Sequence, residues 1–207
     1  MSLMLTRTLS RYLSTLDASR IPADRQAVLD PLAAYLRSCA DQNRTADLVF
    51  ICTHNSRRSH LGQIWAGTLS ALHRIPARTW SGGTEATACN PRTLRALQEA
   101  GFEIEVSGNQ ETNPRYRVSP GADHPGFEVW SKVYTDPANP RTGFGAIMTC
   151  DSANEACPVV LGAEARFPIM YVDPKAHDDT PAEAKAYADC CHLIATEMLY
   201  VMERARG

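Results

Sequence analysis

The apolar run Leu48-Val49-Phe50-Ile51 passes directly into Cys52-Thr53-His54-Asn55-Ser56-Arg57-Arg58-Ser59, and a helix-like stretch follows at once. This junction limits the available folds more than any other segment. A short apolar run bounded by polar residues reads as a buried strand. A strand that ends in a tight loop and restarts as a helix is the first half of a strand–helix–strand unit. In such units reactive groups gather at the carboxyl ends of the strands. Cys52 stands at one of those ends.

The loop carries its own chemistry. Successive backbone N–H groups ahead of a helix can converge on a tetrahedral oxyanion. Arg58 stands where the helix begins and adds a planar fork able to grip two oxygens of the same anion. Both features favour the thiolate form of a cysteine at the floor of the nest. Cys52 is therefore the candidate nucleophile, with Thr53, His54, Asn55, Ser56, Arg57 and Arg58 as the anion cradle. Ser59 either donates its hydroxyl to the sulfur or caps the helix. Asn55 suits a left-handed position that would hold the loop. His54 is expected to look outward and Arg57 to be a charge on the rim.

The flanking pattern repeats the same architecture. Leu5, Leu9, Tyr12, Leu13 and Leu16 recur at helical spacing, and a second helix is expected from near Pro22 through Leu36. Residues 1–45 thus form an N-terminal helical extension, expected to pack on the main domain at 46–207. Leu61, Ile64, Trp65, Leu69 and Leu72 mark a helix ending near His73. Ala77 to Ser81 reads as a strand before a Gly82-Gly83 turn. Asn90-Pro91 opens a helix that Gly101 ends, and Phe102 to Val106 alternates like a strand. Phe144 to Thr149 and Phe167 to Val172 are further strands, ending at Cys150 and Asp173. A terminal helix is expected from Thr180-Pro181 to about Glu203. Residues 107–143 hold five of the thirteen prolines and show no clear element, so they are expected as a loop-rich insertion. Strand and helix alternating in this way imply an α/β fold with a largely parallel sheet.

Composition narrows the function. The net charge of −2 gives no case for a nucleic-acid surface, and the longest apolar runs are too short to cross a membrane. The N-terminus lacks a continuous hydrophobic stretch, so a cytoplasmic protein is expected. Seven cysteines in a chain of ordinary apolar content do not suggest a secreted disulfide framework. Cys39, Cys190 and Cys191 read as small buried hydrophobes, and Cys89 as a weaker redox candidate. No Cys/His spacing resembles a zinc site, and neither metal nor cofactor is expected.

Three further residues complete the constellation. Asp173, followed by Pro174, is the general-acid candidate, with Asp178 and Asp179 as competitors. Six residues separate Cys150 from Cys157, and Pro158 follows. Such a segment can bring two sulfurs together, which a phosphatase does not need and a reductase does.

These residues resemble the low-molecular-weight protein tyrosine phosphatases and their relatives, the thioredoxin-coupled arsenate reductases. The likeness spans roughly 46–205. The loop at 52–59 is similar to the reductase form, Trp80-Ser81-Gly82-Gly83-Thr84 to the family's second strand and turn, and Asp173-Pro174 to its acid–proline pair. Cys150-x6-Cys157-Pro158 matches the reductases' redox pair. Lys175 stands where tyrosine phosphatases usually carry an aromatic residue. The resemblance implies a three-layer sandwich around a central, mostly parallel four-stranded sheet, with the N-terminal helices added. It implies an arsenate reductase in which Cys52, Cys150 and Cys157 form a disulfide relay, reduced by a thioredoxin-like partner. The alternatives are a phosphatase acting on phosphotyrosine proteins or small phosphate monoesters, and a non-catalytic oxyanion-binding or protein-interaction module.

Overall fold

The computed structural model describes residues 3–108, 112–156 and 159–207. Its centre is a four-stranded parallel sheet, β1 (Ala46–Cys52), β2 (Ala77–Gly83), β6 (Phe144–Met148) and β7 (Ala163–Pro168), in the order β2-β1-β6-β7. The two-residue period of β1 divides its side chains between two cores. Leu48 and Phe50 face the larger one, and Val49 and Ile51 the smaller. The larger core lies beneath α2 (Ala23–Asp41), α3 (Arg58–His73), α4 (Pro91–Ala100) and α6 (Glu183–Arg206). The smaller face is closed by α5 (Asp151–Ala156) and by Trp80 and Tyr134. These are the three layers. No helix among the described residues is long and apolar enough to cross a membrane.

Helix ends follow their residues. Asn90 accepts the Arg92 N–H at 2.9 Å with Pro91 in the first turn, and Gly101 ends α4 at a φ of 108°. The N-terminal helices α1 (Arg7–Leu13) and α2 share the main core through Leu9, Leu29, Leu32 and Leu36. A bidentate ion pair fastens α2 to α6. Arg25 Nε and Nη2 reach the Glu197 carboxylate at 2.6 and 2.7 Å, and Glu197 is buried. Glu197→Ala would strip this partner from a largely buried guanidinium, so unfolding stability is expected to fall by about 2–3 kcal/mol. Thermal or urea denaturation measures it.

Two expectations from the sequence need correcting. The last strand was expected at Phe167–Val172, and it lies earlier, at Ala163–Pro168. Beyond Pro168 the chain still pairs with β6, since the Ile169 and Tyr171 N–H groups donate to the Met148 and Thr149 carbonyls. The pairing there is irregular, while Asp173 still arrives at the carboxyl end of the sheet. The 107–143 insertion is not simply loop. Its β4 (Tyr116–Ser119) and β5 (Phe127–Val129) join β3 (Glu103–Val106) in a separate antiparallel sheet ordered β3-β4-β5.

Candidate active site

β1 carries Cys52 to its carboxyl end, level with Gly83 on β2, and α3 starts at Arg58. Between them the carbonyls of the loop face its surroundings. Those of Cys52 and Thr53 accept the Thr84 and Glu85 N–H groups, that of His54 the Ser131 hydroxyl, and that of Ser56 the Asn90 N–H. Among the described residues, the N–H groups of 53–58 donate to no protein acceptor. With the carbonyls held outward, these amides stay unpaired, an arrangement that suits an anion.

Asn55 makes the turn possible. Its φ is 45°, a left-handed value that Asn tolerates. Its Nδ2 donates to Ser59 Oγ at 2.9 Å, and Ser59 Oγ lies 3.1 Å from Cys52 Sγ. Ser59 Oγ accepts from the amide and retains a proton that can bridge to the sulfur when Cys52 is a thiolate. Arg57, not Ser59, occupies the helix cap, which removes the capping alternative.

Arg58 is fixed on three sides. Nη1 donates to the Tyr171 carbonyl at 2.8 Å and reaches the Thr149 carbonyl at 3.5 Å, and Nη2 meets Asp173 Oδ2 at 2.6 Å. Nε is buried without a partner among the described residues. A buried guanidinium N–H left this way, beside unpaired loop amides, suits an oxyanion. Of the three candidate carboxylates, Asp173 is the one paired with Arg58. Asp178 is bound to Tyr187 and Arg57, and Asp179 to Arg92. Arg57 is not the rim charge expected of it. Its Nε donates to Tyr187 Oη at 2.7 Å and Nη2 approaches Asp178 at 3.3 Å, an anchor from the loop to α6. Burial, followed by the bond to Asp178, pushes the Tyr187 hydroxyl up to about 12. His54 looks outward, 3.6 Å from the exposed Glu85 carboxylate.

Cys150 is buried at the start of α5, with Sγ 3.4 Å from Thr53 Oγ1, so it adjoins the loop residue next to Cys52. Cys157 and Pro158 lie outside the described residues. The remaining thiols are packed in. Burial pushes Cys89 and Cys190 up to about 12 and Cys191 up to about 11, which suits buried spacers and not nucleophiles.

Several supports of the loop were not foreseen. The Lys132 N–H donates to Asn55 Oδ1 at 2.9 Å, fixing the orientation of that amide. Ser131 is pinned by Asn113, and its Oγ accepts the Thr87 N–H at 2.7 Å. The insertion therefore braces the loop from the side. His60, fully buried in the first turn of α3, lies 3.1 Å from Ser81 Oγ, and burial pushes its imidazole down to about 3. It is a neutral structural group. The Gly82-Gly83 pair is strand end, not turn. A Cβ on Gly83 would stand 2.5 Å from the Thr53 carbonyl oxygen and 2.8 Å from the Asn55 nitrogen. Gly83→Ala must displace the loop amides, and affinity for inorganic phosphate by calorimetry is expected to drop about tenfold or more.

No protein-family model matches the sequence, and no curated protein matches it. Solved structures do match. A low-molecular-weight protein tyrosine phosphatase from T. tengcongensis aligns at 14% identity over 77% of this chain and 99% of its own, with a TM-score of 0.51. A YwlE mutant from Bacillus subtilis aligns at 10% identity over 79% of this chain and 100% of its own, with a TM-score of 0.52. An arsenate reductase in a phosphate-binding state aligns at 15% identity over 77% of this chain and 98% of its own, with a TM-score of 0.48. The first two establish that the chain has the fold of the low-molecular-weight phosphatases.

Proposed function

We propose that the chain reduces arsenate, with Cys52 as nucleophile and Cys150 and Cys157 as an intramolecular thiol relay. The observation that carries the reading is a second thiol at the oxyanion loop, Cys150 Sγ at 3.4 Å from Thr53 Oγ1. Hydrolysis of a phosphate ester has no use for it.

The loop amides and Arg58 Nε hold the oxyanion with its central atom above Cys52. The Cys52 thiolate attacks arsenic. A sulfur–arsenic bond forms, an arsenic–oxygen bond breaks, and the departing hydroxide leaves as water with a proton from Asp173. The amides and the guanidinium stabilise the charge that builds on the remaining oxygens. The Cys150 thiolate then attacks the Cys52 sulfur. A disulfide forms, and the pair of the broken sulfur–arsenic bond stays on arsenic, which leaves as trivalent arsenite. Cys157 next attacks Cys150 and frees Cys52 as thiolate. The Cys150–Cys157 disulfide is returned to thiols by a dithiol protein of the thioredoxin type.

Paired assays test this. Arsenate reduction with a thioredoxin system is expected over many turnovers, and Cys150→Ser or Cys157→Ser should abolish it while any hydrolysis of an aryl phosphate persists. Efficient aryl phosphate hydrolysis with no arsenate reduction would instead identify a phosphatase. Unchanged multiple-turnover reduction in either cysteine variant would rule out the relay. Absence of both activities would leave an oxyanion-binding module.

A further inference from the structure

Arg57 and Arg58 are consecutive, yet they leave the loop for two different carboxylates. Asp173 and Asp178 bracket a short 3-10 turn, Pro174–His177, and Asp173 Oδ1 accepts the Lys175 N–H at 3.0 Å. Arg58 Nη2 meets Asp173 Oδ2 at 2.6 Å, whereas Arg57 Nη2 approaches Asp178 Oδ2 at 3.3 Å.

Arg57 stands almost as near to Asp173. Its Nε lies 3.9 Å from Asp173 Oδ1, just beyond hydrogen-bond reach. The Tyr187 hydroxyl, on α6, takes that Nε at 2.7 Å. The same oxygen donates its own proton to Asp178 Oδ1 at 2.7 Å. One phenol thus accepts from the guanidinium and donates to the carboxylate that shares it. Tyr187 is 2% exposed, so water has little room to replace its hydroxyl. Arg92, the other cation near Asp178 at 3.9 Å, is itself held at 2.6 Å by Asp179 and by Glu183.

Drawing Arg57 aside matters to a proton donor. Such a group must carry its proton until the leaving oxygen needs it, and each cation brought close favours the ionised form. Among the described residues, the charged and titratable groups facing Asp173 are Arg58, Arg57 and, from α6, the Cys190 thiol. Burial pushes that thiol up to about 12, so it faces Asp173 uncharged. Arg58 is bonded to Asp173 already. Arg57 is the cation whose position is open to choice.

We propose that Tyr187 and Asp178 are positioning residues that hold Arg57 off Asp173, so that the acid meets one close guanidinium and not two. The inference rests on Asp173 as proton donor, a step that arsenate reduction and phosphate ester hydrolysis share. Without the phenol, a guanidinium only 12% exposed loses the acceptor of its Nε, and Asp173 Oδ1 is the carboxylate oxygen that Nε can turn to.

The pH profile of kcat/KM in Tyr187→Phe tests this, for arsenate reduction or for aryl phosphate hydrolysis, whichever the chain performs. The alkaline limb is expected about one pH unit below that of wild type, with about a tenfold loss above neutrality, while affinity for inorganic phosphate stays within about threefold. A merely structural role would lower the rate without moving the limb. The crystal structure of Tyr187→Phe gives a readout that needs no turnover, and Arg57 is expected there at hydrogen-bond distance from Asp173. An unmoved limb, or Arg57 still on Asp178 in that structure, would overturn the proposal. Asp178→Asn is expected to shift the limb the same way and decides the matter if Tyr187→Phe fails to fold. Asp173→Asn separates this inference from the reading beneath it: a variant that keeps the wild-type rate and limb would remove Asp173 as proton donor, and the proposal with it.

Discussion

On the proposed reaction, Cys52→Ser is expected to lower arsenate reduction by at least about a thousandfold, while affinity for phosphate stays within about threefold of wild type. The split follows from what the residue does. The loop is shaped by outward carbonyl bonds, by the left-handed Asn55 and by the Lys132 N–H, none of which involves the Cys52 side chain. A serine hydroxyl fits the same space and can still meet Ser59 Oγ, which lies 3.1 Å from the native sulfur. The hydroxyl ionises far less readily than a thiol and forms no disulfide with Cys150, so both the first attack and the release of arsenite fail. Steady-state reduction and phosphate calorimetry on the same preparation measure both halves. A serine variant that keeps a tenth of the activity would remove Cys52 from the chemistry.

Arg58→Lys is expected to cost about a hundredfold to a thousandfold in kcat/KM and to weaken phosphate binding as well. The charge is kept, so the loss reports geometry. One guanidinium serves the Tyr171 carbonyl and Asp173 Oδ2, and its buried Nε is left without a partner among the described residues. A single ammonium on a flexible stem cannot meet all three directions. Asp173 would also lose the partner that aims it, so a changed pH profile is expected alongside the lower rate. A lysine variant within tenfold of wild type would mean that the fork does not hold the substrate.

What was legible in the sequence was local. The β1–loop–α3 junction could be read because its strand, its anion loop and its helix start are contiguous, and Asn90-Pro91 and Gly101 mark α4 by their own backbone preferences. Of the antiparallel sheet only β3 was legible, through the alternation of Phe102 to Val106. Its partners β4 and β5 are four and three residues long, and β3 must skip the Ser107–Arg115 segment to find β4. Such short partners gave too little periodicity to place as strands. Arg57 was misplaced for a similar reason, since its partner Tyr187 lies 130 residues away on α6. The bracing of Asn55 by Lys132 spans 77 residues and uses a backbone N–H, for which no residue type gives a signal. The last strand was set too late because Ile169 and Tyr171 continue the pairing with β6 past Pro168. Long-range partners decided each of these cases.

The relay is exposed most plainly by mapping disulfides in reduced Cys157→Ser after one exposure to arsenate, without a reductant. The expected product is a Cys52–Cys150 disulfide formed in step with one equivalent of arsenite per chain, since the resolving thiol is missing and the intermediate must accumulate. Arsenite released while Cys52 and Cys150 both remain free thiols would contradict the mechanism, and so would a disulfide that joins Cys52 to any other cysteine.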